Sequence, residues 1–225
     1  MKINAAFDKP AFVHSDELDW LASPMKGVDR KMLDRVGEEV ARATSIVRYA
    51  KGSSFSEHTH SGGEEFIVLE GVFQDEHDDY PQGTYVRNPV GTHHIPRSEP
   101  GCTIFVKLWQ FDSDDQEQIA IDLNDVELSG DGDRVGVMQA TLAERDYELV
   151  ALEEWQPGVS HRIQATKGIE ILVLDGELAH DGITFAKHDW LRFPGDETAR
   201  LTAGSQGVRF WIKRGHLAQI NVPQH

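Results

Sequence analysis

Apolar and polar positions along this chain alternate in short runs, the period expected of strands that bury one face. Thr44-Ser-Ile-Val-Arg-Tyr49, Glu65-Phe-Ile-Val-Leu69 and Thr103-Ile-Phe-Val-Lys-Leu-Trp109 are rich in β-branched and aromatic residues and are separated by Gly, Pro, Asp and Ser. Such side chains are stiff at χ1 and pack well on a pleated surface, so these runs predict strands. Apolar residues at helical spacing are scarce. The pattern predicts an all-β protein, a sandwich or barrel of many short strands.

The pattern also repeats. Glu65-Phe-Ile-Val-Leu-Glu-Gly71 reappears as Glu170-Ile-Leu-Val-Leu-Asp-Gly176, and Tyr85-Val-Arg-Asn-Pro89 as Trp190-Leu-Arg-Phe-Pro194, both at an offset of 105 residues. Gly101-Cys-Thr-Ile-Phe-Val-Lys107 answers to Gly207-Val-Arg-Phe-Trp-Ile-Lys213 at 106, a slip that one turn insertion absorbs. A spacing held this constant indicates two tandem β-barrels of one design. Between the repeats the chain concentrates acids (Asp112, Asp114, Asp115, Glu117, Asp122, Asp125, Glu127, Asp131 and Asp133) and runs through Ser129-Gly-Asp-Gly132, the composition of a solvated connector. The expected organisation is a first unit with an N-terminal extension at 1–111, an acidic linker at 112–134 and a second unit at 135–225.

Composition narrows the partners. The 225 residues carry 22 Lys and Arg against 38 Asp and Glu, a formal net charge of −16, which repels nucleic acid and anionic membranes alike. With 39% hydrophobic residues the chain can bury a core. One cysteine, Cys102, can close no intramolecular disulfide and form no CxxC motif. The N-terminal residues lack the apolar stretch of a signal peptide, and nowhere is there the run of roughly eighteen apolar residues that a membrane span needs. The expectation is a soluble, cytoplasmic protein whose partner is a small molecule or a metal ion.

The first half holds a constellation that suits a metal. In Gly52-Ser-Ser-Phe-Ser-Glu-His58-Thr-His60-Ser-Gly-Gly-Glu64, residues two apart on a strand share a face, so His58 and His60 point the same way. The turn at Ser61-Gly62-Gly63 lets the chain reverse and bring back Glu64, a hard anionic donor beside two imidazoles. A further imidazole has two candidates, His93 and His94, at a second turn in Gly83-Thr-Tyr-Val-Arg-Asn-Pro89-Val-Gly91-Thr-His93-His94. The whole arrangement is similar to the two cupin motifs. Gly52, His58, His60, Glu64 and Gly71 fall on G-x5-HxH-x3-E-x6-G, and Gly83, Pro89, Gly91 and His94 on G-x5-PxG-x2-H. The motif spacing selects His94; its neighbour His93 must then face the other side of the strand. Where the second motif ends in Asn, this chain has Arg97 and Ser98. The expected metal ligands are His58, His60, Glu64 and His94.

The 105-residue offset separates site from scaffold. Glu65 recurs as Glu170 and reads as structural, whereas Glu64 meets Ile169. His58, His60 and His94 meet Ile163, Ala165 and Ala199, so the second barrel is expected to be degenerate, its centre filled with hydrocarbon and free of metal. Arg87 and Lys107 recur as Arg192 and Lys213, which favours a role in the fold. Cys102 reads as a small buried hydrophobe, and Trp20, Trp109, Trp155, Trp190 and Trp211 as packing residues.

Beyond the motifs, Trp20-Leu-Ala-Ser-Pro, Gly27-Val, Glu64-Glu-Phe-Ile-Val-Leu-Glu-Gly-Val-Phe, Asp75-Glu, Gly83-Thr-Tyr-Val-Arg-Asn-Pro and Gly101-Cys-Thr-Ile-Phe-Val-Lys resemble the cupin domain of the ChrR anti-sigma factors and their stand-alone relatives. The resemblance covers most of residues 15 to 110 and, in degenerate form, the second half. It implies one divalent metal, zinc first, on His58, His60, His94 and Glu64, and a part in the response to singlet oxygen. Sigma-factor binding in that family belongs to a separate N-terminal zinc domain with Cys and His ligands. Residues 1 to 45 offer only His14 and no cysteine for it.

Two functions follow as expectations. The first is a regulatory or sensory metal-binding cupin that answers to a protein partner. The second is a metal-dependent dioxygenase acting on a small dicarbonyl or hydroxyketone, with Glu57, His93 and Tyr85 as candidate proton-transfer groups. The imidazole and carboxylate donors suit zinc, iron, manganese and nickel alike. Sheet edges commonly pair, so a homodimer is a further expected arrangement. The pattern identifies no cofactor other than the metal and leaves the catalytic residues open.

Overall fold

The computed structural model describes residues 1–223 and is almost wholly β, with a single 3-10 turn at Ser15–Glu17 among the described residues. The strands that matter here are, in chain order, β1 (Ala11–Val13), β2 (Val28–Gly37), β3 (Ala41–Tyr49), β4 (His58–Thr59), β5 (Glu64–Gln74), β6 (Asp79–Pro81), β7 (Thr84–Asn88), β8 (His93–His94), β9 (Cys102–Leu108) and β10 (Ile119–Asp122). They continue with β11 (Val137–Arg145), β12 (Glu148–Trp155), β13 (Ser160–Gln164), β14 (Ile169–His180), β15 (Ile183–Phe185), β16 (Trp190–Phe193) and β17 (Thr198–Arg214). No helix among the described residues is long and apolar enough to cross a membrane.

The chain forms two compact units, one built around Met1–Ala5 and Asp19–Asp125, the other around Ala6–Leu18 and Val126–Ile220. In the first, the sheet runs Lys2–Ile3, β2, β3, β9, β5, β7, β10, while β4 and β8 pair separately with His94 opposite His58. In the second, the sheet runs Ser129–Gly130, β11, β12, β17, β14, β16, β1. Every pairing among the described residues is antiparallel.

This division differs from 1–111, 112–134 and 135–225 in several places, and hydrogen bonding accounts for two of them. Residues 6–18 join the second unit because β1 pairs with β16, Ala11 opposite Arg192. Residues 112–125 join the first because β10 pairs with β7, and because Asp115, buried in that unit, accepts a 2.6 Å bond from Arg87. The acidic stretch is therefore not one solvated connector.

Each unit has an apolar side to its sheet. In the first, Phe66, Val68, Phe73, Val86, Ile104 and Val106 share one cluster. In the second, a single apolar core includes Ile163, Ala165, Ile169 and Ala199, the four residues at the 105-residue offset from the expected ligands. On the opposite side of each sheet the repeated charges stand shoulder to shoulder. Arg87, Glu65, Lys107 and Thr44 are register neighbours across β7, β5, β9 and β3, and Arg192, Glu170 and Lys213 across β16, β14 and β17. All are at most 1% exposed, so each needs a partner. Tyr85 donates to Glu65 at 2.8 Å, Lys107 to Thr44 at 3.0 Å and Trp190 to Glu170 at 2.6 Å, and Lys213 pairs with Glu148 at 2.9 Å. Trp155, Trp190 and Trp211 are buried, whereas Trp20 is half-buried with the cations of Lys31 and Arg48 against its ring. Cys102 is buried, and burial pushes its thiol up to about 11.

The docking of β1 is fastened by Asp189, whose carboxylate takes the backbone N–H groups of Ser15 and Ala186 at 2.8 and 2.9 Å and lies 2.9 Å from His14 Nδ1. The hydrogen bond to Asp189 raises the pKa of His14, with burial working against it. A raised folded-state pKa stabilises most below the unfolded value of 6.5, and the gain is lost as pH climbs through the folded value. The stability advantage of wild type over His14→Gln, measured by denaturant unfolding, is therefore expected to shrink between pH 5.5 and 8.5, by no more than about 1 kcal/mol.

Candidate metal centre

Two turns and two strand ends converge on one point in the first unit. β4 carries His58 and leads directly into His60; β5 opens with Glu64; β8 carries His94. The ladder is continued by main-chain bonds from His60 N to Thr92 O at 2.8 Å and from Gly91 N to His60 O at 3.0 Å, which hold the two histidine-bearing segments side by side. His60, Glu64 and His94 are buried and His58 is half-buried. One donor atom from each of the four lies within 4.8 Å of the others.

The outer nitrogens reveal which way each ring is turned. His58 Nδ1 is 3.1 Å from the Ser56 carbonyl, which can only accept, so Nδ1 carries the hydrogen. His60 Nδ1 is 2.9 Å from Thr92 Oγ1, whose one hydrogen goes to the Pro89 carbonyl at 2.7 Å. Thr92 must then accept, and His60 too is protonated at Nδ1. His94 Nδ1 is 3.3 Å from Asp75 Oδ2. Each neutral ring therefore turns the lone pair of Nε2 away from its anchor. His60 Nε2 and His94 Nε2 face each other at 3.2 Å, with Glu64 Oε1 at 3.4 and 3.5 Å from them.

Such a group of acceptors is repulsive unless a cation sits among them. The three separations among His60, Glu64 and His94 match the edges of about 3.3–3.4 Å that a tetrahedron has around an ion bonded at about 2.0–2.1 Å, and His58 offers a fourth donor within 4.8 Å of them, so the group could hold one metal ion. Electrostatics agree. Burial lowers the pKa of His60, favouring the neutral ring that a metal needs. Burial opposes ionisation of Glu64, but the three imidazoles and Asn88 outweigh it and hold the carboxyl below its usual range. Asn88 donates from Nδ2 to Glu64 at 3.4 Å, and its Oδ1 accepts from Gln118 at 3.0 Å. For His94, burial is outweighed by Asp75 and Glu64, which raise its pKa, so on that ring a metal competes with a proton.

The four expected ligands are thus brought together. The three candidate proton-transfer groups are not among them: Glu57 and His93 are exposed, and the Tyr85 hydroxyl is bound to Glu65. Sequence reasoning passed over Asp75, Thr92 and Asn88, which hydrogen-bond to three of these four side chains. Ser98, standing where the motif ends in Asn, is buried and donates to the Val72 carbonyl at 2.6 Å.

Comparison with known proteins places this geometry. Residues 8–112 match the family model of the ChrR cupin-like domain. No curated protein matches the sequence. Among solved structures, a candidate dioxygenase from Nostoc punctiforme superposes with a TM-score of 0.78 at 14% identity, over 97% of this chain and 87% of its own. A cupin 2 conserved barrel domain protein from Leptotrichia buccalis gives 0.62 at 14% identity, over 92% and 96%. The bacterial pirin YhhW from Escherichia coli, in complex with nickel(II), gives 0.65 at 13% identity, over 91% and 98%. At these identities the likeness shows the fold, which is that of the cupins.

The turn between His60 and Glu64 allows a direct test. A Cβ on Gly63 would lie 2.4 Å from Phe111 Cγ, whereas one on Gly91 would meet nothing within 4 Å, although both have positive φ, +73° and +89°. Gly91→Ala is expected to cost about 1–2 kcal/mol of stability from left-handed strain alone. Gly63→Ala is expected to cost more and also to lower zinc affinity, as read by thermal unfolding and chelator competition.

Proposed function

We propose that the chain is a metal-binding cupin with a regulatory or sensory role, and that His58, His60, Glu64 and His94 hold one divalent metal ion. The observation that carries this reading is the meeting of imidazole lone pairs and a carboxylate with a cation's spacing. The metal would contribute charge and Lewis acidity; the chain fixes its donors through Ser56, Thr92, Asp75 and Asn88. Zinc is the ion the ChrR-like match favours; iron, manganese and nickel suit the same donors. Loss of the metal would free the rings it tethers and alter the surface offered to a protein partner.

The second unit serves, in this reading, as a degenerate barrel of the same design. Its support is the repeated register of Arg, Glu and Lys and the hydrocarbon at 163, 165, 169 and 199. The acidic composition and single buried cysteine support a cytoplasmic protein that binds neither nucleic acid nor membrane.

A second reading, a dioxygenase acting on a small dicarbonyl or hydroxyketone, draws on the half-buried His58, the one ligand not sealed from solvent. The two are separated by loading the protein with zinc and with iron(II) and following oxygen uptake with a panel of diketones and hydroxyketones. No uptake above the metal-free protein is expected. Uptake by the iron form that disappears in His60→Ala would make the protein a dioxygenase.

A further inference from the structure

We propose that Asp75 is a positioning residue of this centre: its carboxylate holds the Nδ1–H of His94 and so delivers the Nε2 lone pair to the metal. The inference rests on the metal-binding reading and goes beyond it, since the cupin motifs contain no residue in this part.

Asp75 lies just beyond the end of β5 and is 5% exposed. Its two oxygens have different tasks. Oδ1 accepts the backbone N–H groups of His77 and Asp78 at 2.8 and 3.0 Å, closing the turn that leads into β6. Oδ2 faces His94 Nδ1 at 3.3 Å. Tyr80 also hydrogen-bonds this carboxylate; burial foremost, and then the charge of Asp75, raises the pKa of its phenol and keeps it a donor. The Asp75 carbonyl accepts from Arg97 at 2.8 Å. The residue is thus locked by the turn, by Tyr80 and by Arg97, none of which depends on the imidazole.

That arrangement makes Asp75→Asn an unusually clean probe. The two N–H groups of the turn require an oxygen, so the new amide must keep its oxygen there and turn its NH2 toward His94. An NH2 group can only donate. His94 Nδ1 must then accept, which moves the ring hydrogen to Nε2, where it faces His60 and Glu64 in place of a lone pair. The volume is unchanged, the turn is intact and the tautomer of His94 is inverted. Partners of this kind are worth about 10–100-fold in metal affinity.

The test combines two readouts on the full-length chain. In the metal-free protein at about pH 9, long-range nitrogen–proton NMR correlation is expected to show His94 protonated at Nδ1 in wild type and at Nε2 in Asp75→Asn. Zinc affinity, by chelator competition, is expected to fall about 10–100-fold in the variant. Unfolding of the two metal-free proteins is expected to be nearly coincident. An Nε2–H tautomer in wild type overturns the proposal whether or not the variant folds, as does an unchanged zinc affinity in a folded variant. If wild type binds no zinc at all, it is the metal-binding reading that fails.

Discussion

The first unit is organised around one constraint: several lone-pair-bearing atoms must be held a few ångströms apart in a buried place where they repel one another. Two stretches of the chain, one running from His58 to Glu64 and the other holding His94, supply them. The fold meets the requirement by giving every imidazole a second anchor, in Ser56, Thr92 and Asp75, that only an Nδ1–H can satisfy. The rings are thereby oriented without an ion, so that the ordering cost of binding one would fall on folding. The turns obey the same constraint. Gly62 and Gly63 pass so close to Trp109 and Phe111 that a Cβ at either would lie within 2.5 Å of a ring.

The second unit shows what the same strand order is without that constraint. Where the first unit has three histidines and a glutamate, it has Ile163, Ala165, Ile169 and Ala199, all in one apolar cluster. The charges on the opposite side of the sheet, by contrast, recur in both units at the same register. What recurs is the charged register, and what differs is the group at the four positions 58, 60, 64 and 94.

Much of this was legible in the sequence for a specific reason. Strand periodicity puts His58 and His60 on one side, and the 105-residue repeat separates Glu64 from Glu65, because an element present in both halves cannot be particular to one. Two things escaped that logic. The edge strands β1 and β10 were hidden because Ala11–Val13 is only three residues long and Ile119–Asp122 lies among acids; pairing, not composition, makes them strands. Asp75 was hidden by a bulge. Counting by twos from Glu64 sends an odd-numbered residue to the opposite face. The register shift between Thr103 and Ile104, opposite Glu70 and Val68, reverses the parity, and Phe73 joins the cluster of Phe66 and Val68. Asp75, two residues further, is then on the side of the ligands. No local signal in the chain announces that shift.

The central claim, that the four acceptors exist to surround a metal ion, is met most directly by elemental analysis of the protein purified without added metal, beside His58→Ala/His94→Ala. The expected result is about one divalent ion per chain in wild type and none in the double variant, with both proteins folded. Equal metal in both, or none in wild type even after equilibration with zinc, would contradict the account.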